Sequence, residues 1–179
     1  MAAAEHQRLF FALWPDDLCR ERMVREGKKL HEIFGGRLTR RESIHMTLVF
    51  LGELAADQAK AMHAAGERTR MSGFTLHMAG AGCWAHNRIA WLAPAVTPEP
   101  LTQLVKDLRR SERDAGIVIE RRPFTPHVSL VRNAQCRPVE TKIPIFEWRV
   151  QDFVLVRSRR EPETSHYEIL ARWPAGKVA

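Results

Sequence analysis

The strongest constraint on this chain is a strand pattern that occurs twice. Residues 43–52 read SIHMTLVFLG and residues 124–132 read FTPHVSLVR. Alternation along a strand puts residues i and i+2 on one face. His45 and Thr47 then point one way, and Ile44, Met46 and Leu48 the other. In the second run His127 and Ser129 stand against Val128 and Leu130. A polar pair on an otherwise apolar strand must be internally hydrogen-bonded, solvated, or part of a site.

The context of the two runs repeats as well. RLFFALWPDD starts at Arg8 and RIAWLAPAV at Arg88, and each is a short strand candidate stopped near a proline. A helix follows each: one opens near Asp16 and stops at Gly35–Gly36, the other opens near Pro98 and stops at Gly116. In the second helix Leu101, Leu104, Val105 and Leu108 form one apolar stripe. A His-x-hydroxyl strand then closes each unit, with His45 and His127 82 positions apart. Two such triplets mean little in a chain with eight histidines, but their matched aliphatic flanks and their shared Leu-Val continuation carry weight. Further segments read as a helix over 56–70 and strands over 74–80, 146–158 and 166–173, with a charged turn (157–165) between the last two. The expected fold class is α+β: a single bilobal domain over residues 1–179, with two pseudo-symmetric lobes of antiparallel sheet and flanking helices about a central groove. A pseudo-dyad of this kind brings the two histidine strands face to face.

Composition narrows the function classes. The formal net charge is +7, with 28 Lys+Arg against 21 Asp+Glu, which favours polyanionic partners. Cys19, Cys83 and Cys136 are widely spaced and odd in number, so they read as buried or inert thiols in a reducing compartment, not as a disulfide framework or zinc knuckle. No secretory leader and no apolar run of about 20 residues is visible, so a cytoplasmic protein without a membrane span is expected. A monomer is the default. Neither a Walker-A sequence nor a metalloprotease spacing is present, so no metal and no cofactor is expected.

Two histidines can serve as a base and an acid on opposite sides of a displacement. Thr47 and Ser129 can donate to the non-bridging oxygens of a phosphoryl group, and Arg132 can add charge to them. By strict alternation Arg132 faces away from His127, so it needs a strand end or a bulge to contribute. Phe11, Trp14 and Tyr167 are candidates for stacking a base. A strained cyclic phosphodiester suits such a site.

The motifs RLFFALWPDD, IHMTLVFLG, FTLHMAGAGCW, IAWLAP, RPFTPHVSLVR and YEILARWP, in order over about residues 8–174, resemble the 2H phosphoesterase superfamily, and within it the bacterial RNA 2′,3′-cyclic phosphodiesterases historically called 2′-5′ RNA ligases. HMTL and HVSL match that family's paired tetrads; Ser43 stands where Asn is frequent, and Ser129 where Thr is commoner. The resemblance implies hydrolysis of RNA 2′,3′-cyclic phosphate ends to 2′-phosphomonoesters, with 2′-5′ ligation in some members. It implies His45 and His127 as the acid/base pair, and Thr47, Ser129 and Arg132 on the phosphate; His45 is taken as acid and His127 as base, with the reverse order open. ADP-ribose cyclic phosphate, 2′-5′ oligonucleotides, or RNA binding without catalysis stay open at this level.

Overall fold

A computed structural model describes residues 6–118, 122–160 and 165–176. The elements run β1 (Gln7–Leu13), α1 (Asp17–Phe34), β2 (Arg37–Leu38), β3 (Met46–Leu54), α2 (Ala56–Arg68), β4 (Phe74–Trp84), β5 (Ile89–Pro94), α3 (Glu99–Asp114), β6 (Val128–Arg132), β7 (Phe146–Val150), β8 (Asp152–Arg160) and β9 (Ser165–Pro174). They form two antiparallel sheets, ordered β3-β1-β8-β9 and β2-β6-β5-β4-β7. The α+β class and the duplicated strand–helix–strand unit expected from the sequence are both present: β1–α1–β3 lies in one sheet and β5–α3–β6 in the other.

Local chemistry sets the helix ends. The Asp16 carboxylate caps α1 by accepting from the Cys19 N–H at 2.8 Å. Gly35 ends that helix at φ +60°, and its N–H returns to the His31 carbonyl. In α3, Leu101, Leu104, Val105 and Leu108 are all buried, as their spacing requires. Helix α2 packs flush on the four-stranded sheet because Gly66 lies under the Trp173 indole, where a Cβ would collide with the ring.

The main core runs between and across both sheets, from Leu9, Phe11 and Phe153 to Leu92, Val128 and Trp148. β1 is buried on both faces: Leu9, Phe11 and Leu13 enter this core, while Phe10 and Ala12 join Val154 and Val156 in a second, smaller cluster.

Two expectations need correction. The run 146–158 is not one strand. β7 is the edge of the five-stranded sheet and β8 an inner strand of the four-stranded one, with the exposed Gln151 at the crossing. An apolar run with continuous β-propensity does not mark where a chain changes sheets. Cys83 and Cys136 form a disulfide, with Cα atoms 5.4 Å apart and a sequence separation of 53. That pairing depends on bringing the end of β4 beside the segment after β6, which cysteine spacing does not reveal. Cys19 is the free, buried thiol that was expected. The two-residue strand β2 was not foreseen. Part of the charged turn, 161–164, lies outside the described residues.

Candidate active site

Each histidine sits one residue before its strand, and each strand kinks at the same point. Along β1 and β3, Ala12 faces Thr47 and Phe11 faces Val49, so Leu48 is the extra residue of a bulge. Along β5 and β6, Trp91 faces Ser129 and Ala90 faces Val131, so Leu130 is extra. Both Leu-Val doublets are therefore two consecutive core residues: Leu48, Val49, Leu130 and Val131 are all buried. The bulge reverses the alternation, and the residue after each doublet returns to the histidine's face. On one side that residue is Arg132, on the other Phe50, and both line the groove between the sheets. Strict alternation would have turned Arg132 away; the bulge is what delivers it. The extra residue is satisfied locally, because the Thr39 N–H donates to the Leu130 carbonyl at 2.8 Å and the Thr39 hydroxyl to the Ser129 carbonyl at 2.9 Å.

The groove has a volume of about 760 Å³, and His45, Thr47, His127, Ser129 and Arg132 all line it. Arg8, Arg37 and Arg40 line it as well, and among the described residues no carboxylate does. Its field therefore suits an anion. The two imidazoles are held alike. His45 Nδ1–H donates to the Ser43 carbonyl at 2.7 Å, and His127 Nδ1–H to the Thr125 carbonyl at 2.8 Å. A carbonyl only accepts, so each Nδ1 carries the proton and each neutral ring keeps Nε2 as its base. His45 Nε2 lies 3.1 Å from the Thr47 hydroxyl.

Their surroundings differ. His45 is enclosed by three rings: Trp14 stacked at 5.3 Å and 9°, Phe10 at 5.0 Å, and Tyr167 edge-on at 5.1 Å. His127 has the edge of Trp84 at 4.6 Å. Desolvation pushes the His45 pKa down to about 4, against the opposing bond to Ser43, with Arg132 and His127 adding to the fall. His127 is lowered too, by desolvation first and then by Arg132. Both shifts favour the neutral form of the ring.

A folded-state pKa below the unfolded value means that the unfolded chain binds more protons, so stability falls as pH drops from about 6.5 towards 4. For His45 alone the loss between pH 7 and pH 5 is about 2 kcal/mol. Urea unfolding at the two pH values should show His45→Asn losing less stability than wild type by roughly this amount.

Of the proposed stacking residues, Tyr167 lines the groove. Trp14 lies against His45 and lines a separate cavity of about 520 Å³ instead. Phe11 is a correction. It is fully buried against Phe153 and Trp173, and turning it outward would forfeit about 1.5–3 kcal/mol of burial. Its neighbour Phe10 has the groove-side parity, which LFFAL conceals because it is apolar throughout. Arg37, Arg40 and Phe50 were also missed. The basic run between the glycine stop and the first histidine was the available signal for the two arginines. Among the described residues, no group of three or more His, Cys, Asp or Glu could hold a metal ion, and no helix is long and apolar enough to cross a membrane.

The model of the 2′-5′ RNA ligase superfamily matches residues 14–162, and the chain belongs to that superfamily. Among its relatives, the RNA 2′,3′-cyclic phosphodiesterase of Escherichia coli is 35% identical over 172 residues, covering 95% of this chain and 97% of the relative. The RNA 2′,3′-cyclic phosphodiesterase of Thermus thermophilus is 28% identical over 177 residues, 93% and 89% of the two chains. The crystal structure of E. coli LigT complexed with 3′-AMP superposes with a TM-score of 0.86 at 34% identity, over 97% of this chain and all of the other.

Proposed function

We propose that the chain hydrolyses RNA 2′,3′-cyclic phosphate ends to 2′-phosphomonoesters, using His45 and His127 and no metal. The observation that carries this reading is the matched pair of imidazoles on one basic groove, each with Nδ1–H tied to a carbonyl two residues back. The superfamily and the names of its relatives support the same substrate class.

In the step that follows, a water oxygen attacks phosphorus, one Nε2 takes the water proton, and the phosphorus–O3′ bond breaks. The other imidazolium gives its proton to O3′, and the phosphate stays on O2′. Thr47, Ser129 and Arg132 donate to the non-bridging oxygens as charge builds on them. The bound anion restores a proton to one ring. His45 resists protonation because it is enclosed by three rings, so it acts as the base, and the less enclosed His127 as the acid. This is the second of the two orders that the sequence left open. Ligation between 2′ and 5′ ends would be the same displacement with a ribose hydroxyl as the partner.

The test is hydrolysis of an oligoribonucleotide ending in a 2′,3′-cyclic phosphate, in excess chelator, with the product mapped. Metal-free turnover to the 2′-phosphate is expected. A metal requirement or a 3′-phosphate product would overturn the reading. The free enzyme must hold one neutral and one protonated ring, and both rings titrate below 6.5. The kcat/KM profile should therefore peak on the acid side of pH 6.5, with its acid limb near pH 4.

A further inference from the structure

We propose that Trp14 is a positioning residue for His45: the face of its indole receives the positive charge that His45 gains when it takes the proton from water. The inference rests on the phosphodiesterase reading, with His45 as base, and adds to it a residue outside the groove lining. Three observations converge. First, the Trp14 and His45 rings are parallel within 9° and 5.3 Å apart, inside the distance of about 6 Å at which an indole face attracts a cation. The other rings against the two groove histidines lie differently. Phe10 is tilted by 33° and Tyr167 by 80° to His45, and Trp84 crosses His127 at 73°.

Second, the imidazolium formed at His45 has no carboxylate to hold it. Its Nδ1–H donates to the Ser43 carbonyl, and among the described residues no carboxylate lines the groove. The titratable groups that face the ring are Arg132 and His127 from the β6 side and Tyr167 of β9, and the first two oppose another cation. Substrate phosphate supplies negative charge from the groove. Within the protein, the indole supplies a negative π-face laid flat on the ring. Third, the indole is held from outside β3. Trp14 directly follows β1 and precedes Pro15, a position that restricts its backbone to extended conformations. The Arg20 guanidinium of α1 donates to the Pro15 carbonyl at 2.8 Å and fixes that turn. The ring packs at the margin of the small Phe10, Ala12, Val154 and Val156 cluster and takes no part in the main core. A neutral imidazole gains little from such a face and a cation gains more, so the contact strengthens as the proton arrives.

The experiment compares wild type, Trp14→Phe and Trp14→Leu by two readouts. The first is the titration midpoint of His45, followed by NMR of the ring nitrogens in saturating inorganic phosphate and assigned by its loss in His45→Asn. The sign separates two roles. If Trp14 merely walls off water, leucine admits water and the midpoint rises. If the indole face holds the charge, the midpoint falls in Trp14→Leu by about 0.4 to 1.5 in pH, with Trp14→Phe between leucine and wild type. The second readout is hydrolysis of the cyclic-phosphate oligoribonucleotide, where kcat should fall about 2- to 30-fold in Trp14→Leu with KM nearly unchanged. A midpoint that rises or stays fixed overturns the proposal even if kcat falls, and so does an unchanged kcat in a variant whose midpoint falls. Should Trp14→Leu not fold, the Trp14→Phe midpoint decides by the same sign. If wild type does not hydrolyse the substrate yet the midpoint falls, the phosphodiesterase reading fails and the indole still holds the charge.

Discussion

His45→Ala and His127→Ala should each lose about 10²- to 10⁴-fold in kcat on a cyclic-phosphate end, with KM nearly unchanged. Each imidazole transfers a proton only in the transition state, so its removal acts on the chemical step. The double variant should be little worse than the poorer single one, because base and acid act in one displacement. The two singles are separated by the leaving group. A 3′-thio substrate expels a thiolate that needs no proton, so it should restore much of the activity of His127→Ala and little of His45→Ala. Rescue of His45→Ala instead would exchange the roles. Turnover that survives both substitutions in folded protein would remove the histidines from the mechanism.

Arg132→Ala should cost about 10²-fold or more in kcat/KM, since a positioned cation on the transferring phosphoryl group is lost. A second effect separates this role from simple attraction. Arg132 lies close enough to both imidazoles to lower the pKa of each, so its removal should move both limbs of the kcat/KM profile to higher pH. Arg132→Lys retains the charge and should hold the limbs near their original positions, while losing the planar fork and part of the rate. Limbs that stay fixed in Arg132→Ala would mean that the arginine does not face the pair.

Much of the site was written in one dimension. The His-x-hydroxyl pattern needs only the period of a strand, and its recurrence 82 residues later needs only counting. The Leu-Val doublets were legible too, but their meaning was not. Two consecutive apolar residues can be a fully buried strand or a bulge, and only the partner strand's register decides which. Arg132 was therefore a conditional candidate whose condition the register met. Phe11 failed for a related reason. In LFFAL every residue is apolar, so parity could not be assigned until β1 was seen between β3 and β8 with both faces covered.

Gln151 and the cysteines show the other limit. A sheet crossing at Gln151 and a Cys83–Cys136 bond both depend on which distant segments become neighbours. No local propensity encodes that. What the sequence determined by itself was most of the elements, the duplicated unit and the chemistry of the two histidine strands, because these follow from periodicity, capping residues and side-chain type. Only the tertiary structure decided which faces meet, which residues the bulges turn into the groove, and how deeply each histidine is enclosed. Those are properties of register and burial, and they exist only once the two sheets have packed.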